Sequence, residues 1–181
     1  PAAYGAHNES RKNMDQIANS YMDDKIKGKH KIDVLLGGGK SYFNRKDRNL
    51  TKEFKQAGYS YVTTKQALKK NKDQQVLGLF AEGGLAKALD RDSKTPSLKD
   101  MTVSAIDRLN QNKKGFFLMV EGSQIDWAAH DNDTVGAMSE VKDFEQAYKA
   151  AIDFAKKDKH TLVIATADHT TGGFTIGANG E

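Results

Sequence analysis

Five side chains of types that commonly bind metal ions follow two strongly apolar runs in this sequence. Three are carboxylates and two are histidines, namely Glu121, Asp126, His130, Asp168 and His169. The run at 115–120 leads into the first three, and the run at 161–167 ends directly at the other two. Such runs are typical of strands buried on both faces of a parallel sheet. Because ligands bind at the carboxyl ends of strands in these sheets, we expect all five side chains to meet at one edge.

The spacing of these residues indicates a metal site. Asp126 and His130 are four residues apart, so a helix over DWAAH places both on one face. Asp168 and His169 are adjacent where a strand breaks into the loop TTGG, and an irregular backbone there lets neighbouring side chains converge. A mixed set of histidines and carboxylates suits Zn²⁺, whereas oxygen donors alone suit Mg²⁺ or Ca²⁺. Enough donors are present for more than one ion, which points to two-metal chemistry.

Each of these residues also has an ordinary structural explanation. A single Asp-x-x-x-His pair arises often by chance, Asp168 fits a helix cap, and His169 fits an exposed surface position. Their joint position at two strand ends favours the metal site. The other histidines lack such neighbours, so we interpret His7, His30 and His160 as surface or structural residues.

Other catalytic motifs find little support. GGGK at 37–40 follows a strand but lacks the spacing of a Walker loop, so we interpret it as a turn. EGS at 121–123 is not a G-x-S-x-G elbow, and Ser123 has no obvious base beside it. The absence of cysteine excludes a thiol nucleophile, a disulfide scaffold and a cysteine-type zinc site.

Helices and strands that alternate along the chain must position these residues. Amphipathic spacing predicts helices at 9–24, 50–58, 97–112 and 134–158. Apolar runs predict strands at 32–38, 76–80, 115–122 and 161–168, and alternating residue types predict a strand at 59–64. The alternation predicts an α/β fold with a mostly parallel sheet covered on both faces. The longest helix carries an apolar stripe that we expect to pack in the core, consisting of Val141, Phe144, Tyr148, Ile152 and Ala155.

The composition is that of an ordinary globular protein. Of 181 residues, 38% are apolar, 29% are charged and only 2 are proline, which excludes collagen-like and disordered classes. No stretch approaches the roughly 18 apolar residues of a membrane span. Residues 1–75 carry 16 Lys and Arg against 8 Asp and Glu, a net charge of +8 that fits a solvated surface or a polyanion partner. The lysines are scattered without interleaved aromatic residues, so we expect no nucleic-acid-specific site.

Longer motifs resemble one known family. FFLMVEGSQIDWAAHDND at 116–133 and TLVIATADHTTGG at 161–173 resemble the two metal-binding signatures of the alkaline phosphatases. PAAYGAHNESR at 1–11 resembles the segment with that family's phosphate-binding arginine, and the runs at 33–43 and 76–84 resemble its core. The resemblance implies an alkaline-phosphatase-like three-layer sandwich with a mostly parallel central sheet, which is partial in this chain.

The resemblance also implies an activity and a role for individual residues. The family hydrolyses phosphate monoesters through a phosphoserine intermediate, with two zinc ions and one magnesium ion. Arg11 matches the arginine that clamps the substrate phosphate, a task that suits a bidentate guanidinium. Glu121 matches a ligand of the magnesium ion. Trp127 stands where other members have Lys or His, which leaves the metal preference open.

The resemblance implies that the remaining candidates are zinc ligands. Asp126 and His130 match ligands of one zinc ion, and Asp168 and His169 match ligands of the second. Thr171 stands where some members have a second histidine.

Residues 1–181 are expected to form a single fragment of a catalytic domain, with a polar surface excursion around 39–72. The chain begins at Pro1 and stops after an apolar run, so we expect both ends to be cuts. The resemblance places the nucleophilic serine before Pro1 and one further histidine ligand after Glu181, so the chain alone should be inactive. It also implies a homodimeric parent located outside the cytoplasm, in an extracellular, periplasmic or cell-surface position.

Two alternative functions remain open for this chain. Related folds cleave phosphodiesters, transfer phosphate within a substrate or hydrolyse sulfate esters around similar ligands. A non-catalytic domain that binds metal or a polyanion needs no missing residues. Because a partial sheet exposes apolar surface, we also expect the chain to associate with itself.

Overall fold

The computed structural model describes residues 5–173, which divide into two compact units. Unit 1 comprises residues 5–85, 92–96 and 104–117, and unit 2 comprises residues 86–91, 97–103 and 118–173. No helix in residues 5–173 has both the length and the apolar character that a membrane crossing requires.

Unit 1 combines short helices with two small sheets. Its helices are α1 (Met14–Asp23), α2 (Lys40–Phe43), α3 (Leu50–Gln56) and α4 (Lys65–Lys70). Its strands are β1 (Lys25–Ile26), β2 (Lys29–His30), β3 (Val34–Gly37), β4 (Ser60–Val62) and β5 (Val76–Leu79). Helix α5 (Leu98–Leu109) has residues in both units, whereas α6 (Ser123–His130) and α7 (Thr134–Asp158) belong to unit 2.

A three-stranded parallel sheet forms the centre of unit 1. β5 is the middle strand, and both β3 and β4 run parallel to it, with Val34 and Ser60 each opposite Val76. All four residues of β5 are buried, as expected for a strand with neighbours on both edges and cover on both faces. The predicted α/β class with a parallel sheet is confirmed, and the sheet is a partial one.

The polar stretch at 39–72 supplies much of the core of unit 1. Leu50 is fully buried and Phe54 is 2% exposed, and the Phe54 ring meets Tyr59 edge-on at 4.9 Å between centroids. The expectation of a surface excursion is therefore wrong for these residues. Leu50 and Phe54 are four residues apart on α3, so two large side chains on one face anchor an otherwise polar helix.

The glycine turn after β3 uses its own amide groups. The Gly39 amide donates to the Gly83 carbonyl at 2.7 Å, and the Lys40 amide donates to the Ala81 carbonyl at 3.0 Å. A Cβ on Gly38 would overlap the Gly83 carbonyl oxygen, so this close approach of two loops requires glycine. Because both amides are engaged, neither is available to bind a phosphate group.

Only part of the predicted apolar stripe on the long helix α7 is buried. Glu140 is 5% exposed and accepts a hydrogen bond from a backbone amide, whereas Val141 and Tyr148 of the predicted stripe are 52% and 38% exposed. Next to Glu140, the Asp143 carboxylate pairs with the Arg91 guanidinium at 2.8 Å. The prediction of a core stripe is thus wrong for Val141 and Tyr148, whereas the other three residues of the stripe are half-buried.

The two apolar runs that precede the candidate ligands do not form strands within residues 5–173. The predicted strands at 115–122 and 161–168 are therefore corrected, and Leu162 and Ile164 are 82% and 76% exposed. A strand needs the N–H and C=O groups of a neighbouring strand, and no described residue pairs with either run in a ladder. Half-buried and exposed residues still alternate along 161–164, which is the period of a strand.

Candidate metal centre

Helix α6 places two of the predicted ligands side by side. Asp126 and His130 are one turn apart, and the Asp126 Oδ1 atom lies 3.6 Å from the His130 Nε2 atom. The helix begins after Gly122, where a Cβ would lie 2.9 Å from the Phe144 ring on α7. The glycine therefore allows α6 to start in close contact with α7. The predicted shared face of Asp126 and His130 is present in the structure.

The loop 168–173 folds back onto α6. Gly172 has a φ of +71° and Gly173 a φ of +62°, a left-handed backbone that favours glycine. A Cβ on Gly172 would lie 3.3 Å from the Ala129 carbonyl oxygen, so the loop approaches the end of α6 closely. As a result, the Thr171 hydroxyl donates a hydrogen bond to Asp126 Oδ1 at 2.5 Å.

This loop brings His169 towards the same carboxylate. The His169 Nε2 atom lies 4.0 Å from Asp126 Oδ1 and 3.4 Å from Asp168 Oδ2. The His169 Nδ1 atom lies 2.9 Å from the Thr171 hydroxyl oxygen. Asp126 is therefore near both predicted histidine ligands, His130 and His169, although they come from separate segments of the chain.

The histidine and carboxylate side chains of this cluster are of types that bind zinc. Zinc bonds of about 2.0–2.1 Å in a tetrahedral site place neighbouring donor atoms about 3.3 Å apart. The 3.6 Å pair of Asp126 and His130 and the 3.4 Å pair of Asp168 and His169 are close to that spacing. No three histidine or carboxylate side chains converge into a group that could hold a metal ion within residues 5–173. Asp168, whose side chain is 90% exposed, points largely into solvent.

The structure does not bring Glu121 into this cluster. Glu121 lies just before α6 and is exposed, and no hydrogen bond or ion pair in the described part of the chain joins it to the other four candidates. Its role as a magnesium ligand stays a prediction. Trp127, next to Asp126 on α6, is 50% exposed.

Arg11 belongs to unit 1, in an exposed turn before α1. Asn8 braces this turn, since its Oδ1 atom accepts hydrogen bonds from the Ser10 amide at 3.0 Å and from Asn13 Nδ2 at 2.9 Å. This role of Asn8 was not expected from the sequence. Asn side chains commonly hydrogen-bond to the backbone two residues on, so the pattern N-x-S offered a weak signal.

Two further carboxylates close to α6 have structural partners. The Lys87 ammonium lies 2.9 Å from Asp133 and 3.4 Å from Asp131. The Gly136 amide, with Lys87 second, holds the pKa of Asp133 below its usual value, and the Asp133 carboxylate in turn raises the pKa of Lys87. Asp131 and Asp133 therefore serve to anchor the start of α7, and we do not count them among the candidate ligands.

The chain is similar to known proteins over its whole length. The family model described as alkaline phosphatase matches residues 1–181. The chain is 99% identical over all 181 residues to alkaline phosphatase 4 of Bacillus subtilis (strain 168), and it spans 39% of that relative's length. A cold-active alkaline phosphatase from Shewanella sp. aligns with all of this chain and 43% of its own, at 42% identity and a TM-score of 0.88. A third similar protein is a histidine-to-glutamate variant of the alkaline phosphatase from the Antarctic bacterium TAB5, solved with Mg bound in its M3 site. It aligns with 98% of this chain and 50% of its own, at 34% identity and a TM-score of 0.83.

Proposed function

Because this chain belongs to the alkaline phosphatase family, we propose that it is part of an enzyme that hydrolyses phosphate monoesters. The chain spans 39% of the length of the Bacillus relative, so the activity is proposed for the larger protein. The observation that supports it most is the placement of Asp126 near two histidines that come from a helix and from a separate loop.

Substrate binding is assigned to Arg11. Its planar guanidinium binds two oxygens of the phosphate group, a geometry that an ammonium group does not offer. The hydrogen bonds of Asn8 support this role, because they hold the turn that carries Arg11 before any substrate arrives. A turn ordered in advance loses less conformational entropy when the phosphate binds.

The metal ligands are assigned as the resemblance implies. Asp126 and His130 would hold one zinc ion, Asp168 and His169 would hold a second, and Glu121 would help to hold magnesium. Bound zinc would supply Lewis-acid chemistry, lowering the pKa of an attacking hydroxyl group and stabilising charge on a leaving oxygen. The position of Asp126 supports this assignment, because its Oδ1 atom lies 3.6 Å from the Nε2 atom of His130.

Three further parts of the proposal rest on family membership alone. The reaction passes through a phosphoserine intermediate, the enzyme is a homodimer, and it works outside the cytoplasm, in an extracellular, periplasmic or cell-surface position. Ser123 is not proposed as the nucleophile.

A comparison of substrates tests the proposed function. The protein at the full length of its relatives, loaded with zinc and magnesium, should hydrolyse p-nitrophenyl phosphate much faster than bis(p-nitrophenyl) phosphate, and a chelator should abolish turnover. Asp126→Asn and Arg11→Ala should each lower kcat/KM by at least about tenfold, whereas Asp153→Asn on the exposed face of α7 should not. Preference for the diester would indicate another reaction of the superfamily. Zinc binding without any turnover would indicate a non-catalytic metal-binding domain.

A further inference from the structure

Thr171 occupies a position between two candidate ligands that the proposed function does not yet explain. Its hydroxyl oxygen lies 2.5 Å from Asp126 Oδ1 and 2.9 Å from His169 Nδ1. Asp126 belongs to α6 and His169 to the loop after 161–167, so one hydroxyl group connects the two segments that carry the proposed ligands.

The donors and acceptors at Thr171 determine how these hydrogen bonds run. A threonine hydroxyl has one proton to donate and two lone pairs. An ionised carboxylate only accepts, so the hydroxyl proton must go to Asp126 Oδ1. The contact with His169 is then a hydrogen bond only if Nδ1 carries a proton and donates it to the Thr171 oxygen.

If Nδ1 donates to Thr171, the other ring nitrogen of His169, Nε2, is the one left to bind a metal ion. A neutral histidine with its proton on Nδ1 has its lone pair on Nε2. The Nε2 atom of His169 is also the ring nitrogen that faces the carboxylates, at 3.4 Å from Asp168 and 4.0 Å from Asp126. In that tautomer, the Nε2 lone pair lies on the side where the proposed second zinc ion would bind.

We propose that Thr171 is a positioning residue of the metal centre, which holds His169 in the tautomer with its proton on Nδ1 while it orients the Asp126 carboxylate. The proposal rests on the proposed function, because it assigns His169 and Asp126 as ligands. Partners of this kind orient metal-binding histidines in many proteins, and their loss typically costs about 10–100-fold in metal affinity.

The loop geometry supports a specific role for Thr171 rather than for its neighbour. Gly172 and Gly173 turn the chain in left-handed conformations directly after Thr171. Thr170, one residue earlier, is exposed and makes no hydrogen bond in the described part of the chain. The same substitution at Thr170 is thus a matched control.

Two measurements on the protein at the full length of its relatives test the proposal. The first is the tautomer of His169 in the metal-free protein, read from long-range ¹H–¹⁵N spectra of histidine-labelled samples and assigned with His169→Gln. The second is zinc affinity, measured by competition with a chromophoric chelator. Thr171→Val should lose the Nδ1–H tautomer of His169 and weaken zinc binding about 10–100-fold, whereas Thr171→Ser and Thr170→Val should keep both properties.

Several outcomes separate this proposal from others. Retention of the Nδ1–H tautomer and of zinc affinity in Thr171→Val would overturn it. A lower melting temperature with both properties unchanged would also overturn it, because Thr171 would then only stabilise the loop. If Thr171→Val fails to fold, Thr171→Ala removes the same hydroxyl with a smaller side chain, and near-ultraviolet circular dichroism verifies the fold. The turnover of the unsubstituted protein is a separate measurement, so an inactive protein with the expected tautomer would refute the proposed function alone.

Discussion

Removal of one partner from the buried ion pair between Arg91 and Asp143 should destabilise unit 2 strongly. The charged groups are 2.8 Å apart, and their side chains are 9% and 11% exposed. At an effective dielectric constant of about 20, two unit charges at this distance attract by about 6 kcal/mol, most of which offsets the loss of hydration. Asp143→Asn leaves the Arg91 charge buried without its partner, so we expect a loss of about 3–5 kcal/mol. We expect a loss of about 3 kcal/mol if the Glu140 carboxylate, which also attracts Arg91, partly replaces Asp143 as the partner of Arg91.

Urea denaturation followed by tryptophan fluorescence measures this loss. Trp127 is the only tryptophan of the 181 residues and lies on α6, which packs against α7, so its signal reports on unit 2. The control is Asp153→Asn, which breaks an exposed pair with Lys149 on the same helix and should change the midpoint little. The double variant Arg91→Met/Asp143→Leu should recover most of the loss, because it removes both buried charges. The reasoning is refuted if Asp143→Asn unfolds at the same urea concentration as the parent chain, or if the double variant recovers nothing.

Three other predictions concern the pH dependence of stability, the loop 168–173 and the 181-residue chain alone. Burial raises the pKa of the Glu140 carboxyl group, so the folded state binds the carboxyl proton more tightly than the unfolded state does. The stability that this proton contributes is therefore present at low pH and is lost as the pH rises through the raised pKa. Glu140→Gln, which keeps an oxygen for the Ala88 amide, should remove this dependence in denaturation series between about pH 4 and about pH 8; an unchanged slope would contradict the assignment. Gly172→Ala should lower the free energy of unfolding by about 1 kcal/mol, because residue 172 has a left-handed backbone, and it should weaken zinc binding. A zinc affinity equal to that of the unsubstituted protein would show that the close contact of the loop 168–173 with α6 does not matter for binding. The 181-residue chain alone should associate in solution scattering and show no metal-dependent phosphatase turnover, and a monodisperse monomer or measurable turnover would each count against these expectations.

Helices were predictable from the sequence because their hydrogen bonds are local. The prediction of 134–158 coincides with α7, and 97–112 contains α5. Three short apolar runs were also predictable as the strands of the parallel sheet, β3, β4 and β5. The runs at 115–122 and 161–168 carry the same signal, yet they form no strand in residues 5–173. A strand depends on a neighbour as well as on its own residues, and hydropathy does not reveal whether that neighbour is present.

The buried faces were harder to predict than the elements themselves. The apolar stripe on α7 gave no sign that Glu140 and Asp143 would lie on the buried side. Their burial depends on partners from residues 86–91, including Arg91, which lie far away in the sequence. Likewise, Leu50 and Phe54 are two of the most buried side chains in unit 1, although the polar residues around them predicted an exposed segment.

For the candidate site, the sequence by itself determined the types of the candidate ligands and the pairing of Asp126 with His130, since a spacing of four residues sets their distance on any helix. It also determined the family, through motifs that retain their order along the chain. Only the tertiary structure decided that His169 and Thr171 approach Asp126, because that approach depends on how the loop at 168–173 folds onto α6. No local rule relates residues that are 45 positions apart, so the hydrogen bond of Thr171 to Asp126 could be found only after the chain was folded.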